Sequence, residues 1–462
     1  MHNKQKGQIL PLGLAMLVLA MLGAFAVYNT GRFATDKMRL ANVADAAAYS
    51  GALWQARALN FQAYSNRAMV ANQVAIGQIV SLRSWAAYGA ITSENIANVL
   101  KGIPVLNGLA AGLEAGLAAF EAVVKSVATV LVPTIDAVNR ALSVSQNIMY
   151  FGTFQAIPDV VNAVVDHSDS RFSADSAYSA IGMAKTHKQW IDFTERYDRF
   201  DSAAMRERER MINRSRDAFS RDRDWDLSTL LFPPNLFYSQ KVIRQGQTRL
   251  VRYNTSNGPE WEWKAKDTVS LHTKINYIFG SKKKEIPIGW SQAFANSRSQ
   301  LRTLEGPGCG LGGVQRCQRY TENNKKSERY SDIGIPSPVK RLPTNIPIRG
   351  YGGIHGYNSL SQSALRNEDP RLQLKIEVSM PVKHAYKNTL DQNKGLLHTP
   401  KGASAELSSS ISVAEVYFQP PDIYGSVNGR SQKANGYNPY WLARLADVPL
   451  SDRVLAFSLR RD

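Results

Sequence analysis

No Asp, Glu, Lys or Arg occurs between Ile9 and Thr30, and the run from Leu12 to Tyr28 is apolar almost throughout. A helix of that length, rising ~1.5 Å per residue, spans a bilayer core of ~30 Å. Its backbone hydrogen bonds close internally, as hydrocarbon requires. Tyr28 and Arg32 fall at the far boundary, where an aromatic ring and a snorkelling cation are both favoured. A cleaved secretory signal opens in the same way, but its apolar run is usually ~7–15 residues and ends in a cleavable loop. Here helical periodicity continues beyond Gly31 to Leu59 without a proline. The reading is a retained transmembrane helix over residues 9–30 behind a short cytoplasmic N-terminus, residues 1–8. Lys4 and Lys6 flank one end while Arg32, Lys37 and Arg39 flank the other, so charge alone decides the orientation weakly.

Beyond the span, Ala44, Ala48, Ala52 and Ala56 recur at every fourth residue. That spacing draws a small-residue stripe along one helical face, which lets another helix come close. Because more helical sequence follows directly, packing within the chain is favoured over a subunit contact.

These residues carry a family resemblance. Gly7-Gln8-Ile9-Leu10-Pro11-Leu12 opens the apolar helix, Asn29-Thr30-Gly31-Arg32 closes it, and Asn42-Val43-Ala44-Asp45-Ala46-Ala47-Ala48 follows. In this order of parts the chain resembles the TadE/TadG-like proteins of Flp-type (tight-adherence) pilus assembly. The resemblance implies a bacterial inner-membrane protein with a periplasmic body, working in pilus biogenesis or secretion rather than catalysis. Its implied partners are the lipid bilayer and other pilus or secretion-system subunits, and oligomers fit the same picture. It also places a prepilin-type cut after Gly7, although Leu12 stands where pilin-like members carry Glu. Some relatives bear a von Willebrand type A metal site of pattern Asp-x-Ser-x-Ser, and Asp166-His167-Ser168-Asp169-Ser170 fits the letters. The flanks there read as helix, whereas such a site needs a parallel strand ahead of it. A helix-to-helix junction is expected instead, with Pro158 opening a helix before it.

The remainder divides by periodicity. Residues 31–230 read as an Ala-rich helical region with breaks at Gly102–Asn107 and at Pro133. Leu109 to Val130 is apolar enough to suggest a second span, but Glu114, Glu121 and Lys125 share a face, with Glu121 and Lys125 in the order that favours a surface pair, so an amphipathic helix packed on its neighbours is expected. The arginine-rich run from Arg206 to Arg223 is interleaved with acids and reads as a solvated helix held by local pairs. Past Pro233-Pro234, alternation of period two appears at Thr248–Tyr253, Glu260–Lys264, Leu372–Ser379 and Ile411–Phe418. The expected fold class is therefore α+β: a long N-terminal transmembrane helix continuing into a helical region, then a β-rich domain with long loops over residues 235–462.

Lys and Arg number 56 against 38 Asp and Glu, a formal charge of +18. Lys282, Lys283, Lys284, Arg316, Arg319 and Arg349 are the candidates for a basic surface that meets an anionic partner. The two cysteines, Cys309 and Cys317, lie close together in a Gly-rich stretch. Outside the cytoplasm they make a local disulfide candidate; inside it the same pair stays as thiols. No His-Glu-x-x-His, phosphate-binding loop or nucleophile elbow is present, so no catalytic, metal or cofactor residue is assigned. Gly308, Gly310 and Gly313 meet the letters of a dinucleotide fingerprint but lack its strand and helix. Trp261 and Trp263 fit one core face of a strand better than a nucleic-acid platform. The function read from the sequence is a membrane-anchored structural component of a Tad/Flp-type pilus or related apparatus, acting by protein–protein binding. The rival is an envelope protein that binds DNA or another anionic polymer through its basic surface.

Overall fold

The computed structural model describes residues 9–100, 104–228, 238–256, 258–298, 303–304, 320–333, 342–381, 407–421 and 432–459. In chain order the elements are α1 (Ile9–Leu100), α2 (Pro104–Ser168), α3 (Ala177–Phe193), β1 (Thr194–Tyr197), α4 (Ser202–Arg214), α5 (Ala218–Arg221), β2 (Trp225–Ser228), β3 (Tyr238–Thr255), β4 (Gly258–Tyr277) and β5 (Gly280–Asn296). They continue with α6 (Lys325–Ile333), β6 (Asn345–Pro347), β7 (Tyr357–Leu360), α7 (Gln362–Arg366), β8 (Leu372–Pro381), β9 (Leu407–Phe418), β10 (Trp441–Ala446) and α8 (Leu450–Ser458). The fold is α+β, with a long N-terminal apolar helix running on into helices and a sheet-rich C-terminal region. Two compact units divide the chain, and each takes part of α1, part of α2 and later segments.

The first unit comprises Met1–Tyr64, Gln146–Glu195 and Ser359–Asp462. Its antiparallel sheet has the order β10-β9-β8. Leu372, Leu374, Ile376, Val378 and Met380 alternate along β8 and enter one core with Leu40, Leu59, Ile157, Val161 and Trp190. Each buried Leu, Ile or Val is worth ~1.5–3 kcal/mol, so this alternating face is what holds the helices to the sheet. Gly51 is where α1 comes nearest: a Cβ there would lie 2.4 Å from a methyl of Leu374. The open edge of β8 is satisfied by α3 rather than by another strand. The Ser179 hydroxyl accepts from the Glu377 N–H and donates to its carbonyl, both at 2.9 Å. Thr186 donates to the Gln373 carbonyl, and Gln189 accepts from the Gln373 N–H at 3.1 Å. Covered in this way, the edge is closed to pairing with a stray strand.

The second unit comprises Ser65–Ser145 and Arg196–Asn358. Its sheet has the order β2-β3-β4-β5-β6, and β3, β4 and β5 form an antiparallel meander of strands 18, 20 and 17 residues long. β4 is buried on both sides. Trp261, Trp263 and Ala265 supply its apolar face, with the Trp263 ring against Gly77 of α1, where a Cβ would meet it at 2.8 Å. The alternate residues Glu262, Lys264 and Lys266 are buried too, and they are satisfied by polar partners. Glu262 accepts from Thr303 and from the Leu304 N–H, while Lys266 pairs with Asp332 at 2.8 Å and with Glu328. Asp267 lies between Arg223 at 2.8 Å and Arg244 at 3.0 Å, all three withdrawn from water. Breaking such a buried set from one side leaves an uncompensated charge.

Three expectations change here. Pro133 does not break a helix and Pro158 does not open one; both lie inside α2. A proline removes one backbone donor and frees the carbonyl four residues earlier, and at Pro158 that is the carbonyl of Phe154. The ring of His187 lies beside it, stacked on the Phe154 ring at 3.8 Å. Glu121 does not form a surface pair with Lys125: it turns inward to Arg83 of α1 at 2.5 Å. The arginine-rich run is only partly solvated, because Arg208 stacks over the Tyr357 ring and Arg223 is spent on Asp267.

Candidate assembly surfaces

The N-terminal part of α1 lies open. Leu10, Leu12, Met16, Val18 and Leu22 are all exposed although they point in different directions around the helix, as in a segment whose solvent is not water. Its polar groups are quenched internally, with the Thr30 hydroxyl donating to the Ala26 carbonyl and Thr35 to Gly31, both at 2.9 Å. Packing begins at Phe33, partly buried against the core, and Asp36 is buried and bonded to Arg171 at 3.2 Å. Asp169 grips the same guanidinium at 2.7 Å and 3.0 Å. This hydrogen bond to Arg171 holds the Asp169 carboxyl below the usual carboxylate range, and the two acids together raise the guanidinium. The Asp-x-Ser-x-Ser letters thus run from the last turn of α2 into the turn that follows it, and Asp169 is spent on an arginine clamp.

Ala44, Ala48, Ala52 and Ala56 are each at most 1% exposed and belong to the core of the first unit. Within the described residues they face the chain's own side chains.

α2 carries a second apolar stripe that the sequence reading passed over. Starting at Leu109 and stepping alternately by four and three, the residues are Leu113, Gly116, Phe120, Val123, Val127, Val130, Thr134, Ala137, Ala141 and Val144. All are exposed, Leu109 by 76% and Val130 by 63%. The opposite face, with Ala110, Glu121, Val124, Ala128 and Val132, is buried within the second unit. Packing on neighbours therefore uses only one side of this helix. An average repeat of 3.5 residues is the spacing that lets one helix lie along another. The spacing was present in the sequence, hidden there because the inward-facing apolar residues overlap it.

Of the basic candidates, Lys282, Lys283 and Lys284 are exposed at the start of β5, and Arg349 is exposed just after β6. The structure does not bring Arg349 and the lysines into a described contact. Arg316, Arg319, Cys309, Cys317 and Gly7 lie outside the described residues.

A cavity of about 540 Å³ in the second unit is lined in part by Asp198, Arg199, Phe200, Glu260, Trp261 and His355. Its charges are largely taken up locally: Glu260 by Arg298 at 2.5 Å, His355 by Asp136 at 3.1 Å, and Asp198 by Arg196 at 3.4 Å. Nearby in sequence to that wall, Glu209 on α4 is lifted to about 7 by burial, against the opposing pull of Arg252.

Taken together these features define a class: an α+β protein with an apolar N-terminal helix of membrane-anchor type and a packed body that leaves helical and basic surfaces open. Residues 7–57 match the family model of Flp pilus-assembly TadE/G-like proteins. That segment covers the apolar helix, its basic exit and the alanine stripe, and over it the chain is similar to those proteins. No curated protein and no solved structure matches the chain significantly.

Proposed function

We propose that this protein is a single-pass inner-membrane component of a Tad/Flp-type pilus or a related secretion apparatus. Residues 9–30 of α1 cross the bilayer, residues 1–8 stay in the cytoplasm and the body works in the periplasm by binding other subunits. One observation carries the reading: the TadE/G-like match at residues 7–57 falls on a charge-free, exposed helix that continues without a break into a buried body. The binding mode is supported by the open stripe on α2. Its large apolar members together expose roughly 700 Å², above the ~300–600 Å² patch a typical monomer leaves bare and close to the ~800 Å² that one side of a stable interface buries. Its spacing fits a helical partner subunit.

Clean deletion in the native host should abolish or alter surface pili, as seen by electron microscopy and adherence assays. The double variant Val127→Asp, Val130→Asp should reproduce that defect while leaving protein level and membrane association intact. Normal piliation in the deletion strain would refute the assignment.

A further inference from the structure

The β4–β5 hairpin ends in a two-residue turn, since Tyr277 pairs with Gly280. The turn residues are Ile278 and Phe279, exposed by 89% and 99%. Two-residue hairpin turns favour Asn, Asp or Gly, whose backbones tolerate positive φ, and large apolar side chains there gain nothing from local geometry. Among the described residues they gain nothing from packing either. Behind the tip, Lys274 stands directly opposite Lys283, with Lys282 and Lys284 on either side of Lys283. Like charges facing each other across an antiparallel pair destabilise it. No acid lies between Asp267 and Glu285 to relieve them, and Glu285 is engaged in accepting from the Lys326 and Ser327 N–H groups at the start of α6. Local preference is thus broken twice at one place, by bare apolar residues and by unrelieved positive charge, which marks a site whose compensation comes from outside the chain.

We propose that this hairpin tip docks on an anionic lipid bilayer, Ile278 and Phe279 entering the headgroup–acyl boundary while the four lysines meet lipid phosphates. The two features suit that one partner together. An apolar residue pair gains by leaving water for the interface, and lysines beside it are attracted to a negatively charged leaflet, each reaching outward on a flexible stem. A nucleic acid would use the lysines but leave Ile278 unrewarded, and an apolar protein groove would leave the lysine pair facing itself. The proposal rests on β4 and β5 alone and is independent of the pilus-assembly reading.

The test keeps the chain whole. Full-length protein is reconstituted in nanodiscs of phosphatidylcholine, so that α1 is already housed, and is then floated with separate vesicles. It should float with vesicles containing phosphatidylglycerol and stay behind with pure phosphatidylcholine, and the binding should weaken as salt rises. The variant Ile278→Asp, Phe279→Asp should lose ~10-fold or more in vesicle binding, with unchanged circular dichroism and melting temperature, because both side chains are solvated in the fold. Lys282→Glu, Lys283→Glu, Lys284→Glu should abolish the preference for phosphatidylglycerol. Flotation that is undiminished in the tip variant would overturn the proposal. So would the absence of vesicle binding by the wild type, and retention on DNA lost in the lysine variant would then assign the lysines to nucleic acid.

Discussion

Single residues set the tolerances on which both units depend. At Gly182 of α3, a Cβ would lie 2.3 Å from the Lys375 carbonyl oxygen, a backbone atom that cannot step aside. Gly182→Ala should therefore cost ~1–3 kcal/mol through overpacking, read as a lowered melting temperature of the detergent-solubilised protein. Nothing in the sequence around Ile181-Gly182-Met183 announces this, since helical glycines at residues 108, 112 and 116 have open space around them. Glu209 gives a second residue-scale expectation. Its folded pKa, about 7, lies above the ordinary value of 4.5, so between those values the folded state holds a proton that the unfolded state has released. That contribution is complete below the ordinary value and is lost as pH rises through about 7. Wild type should thus lose melting temperature relative to Glu209→Gln as pH is raised from about 5 to about 8. A parallel pH profile in the two proteins would show that Glu209 does not titrate in this way.

Among the elements, strands were easier to foresee than helix limits. The alternation at Glu260–Lys264 and Leu372–Ser379 falls within β4 and β8, because successive side chains of a strand point to opposite faces and so repeat every two residues. The proline breaks failed for the complementary reason. A lost backbone hydrogen bond is local, whereas α2 is held by contacts along its length, among them the His187 ring stacked on Phe154 one turn before Pro158. Glu121 and Arg223 were misread because a sequence shows the charge four residues away and hides the one across the fold. At this scale the α2 stripe makes its prediction: in membranes from the native host, site-specific crosslinkers at Val123 or Val130 should capture a partner subunit, while one at Ala128, buried on the opposite face, should not.

For the whole molecule, the anchor makes a prediction of its own. Mass spectrometry of the native protein should find a start at Met1 if α1 is a fixed anchor and at Gln8 if a peptidase cuts after Gly7. Phosphatase fusions after residue 60 should be active only if the body is periplasmic. What the sequence by itself determined was the chemistry that local composition controls: a charge-free helix near the N-terminus, the TadE/G-like order of parts behind it, helical periodicity before strand periodicity, and an α+β outcome. These follow from side-chain spacing and hydration, which are properties of neighbours in the chain. Only the tertiary structure decided which faces remain bare. It put the alanine stripe into a core, spent Asp169 on Arg171, left one side of α2 in solvent and left Ile278 and Phe279 exposed at a hairpin tip. Burial is a property of residues distant in sequence, so the same apolar letters read alike whether they end inside the protein or outside it.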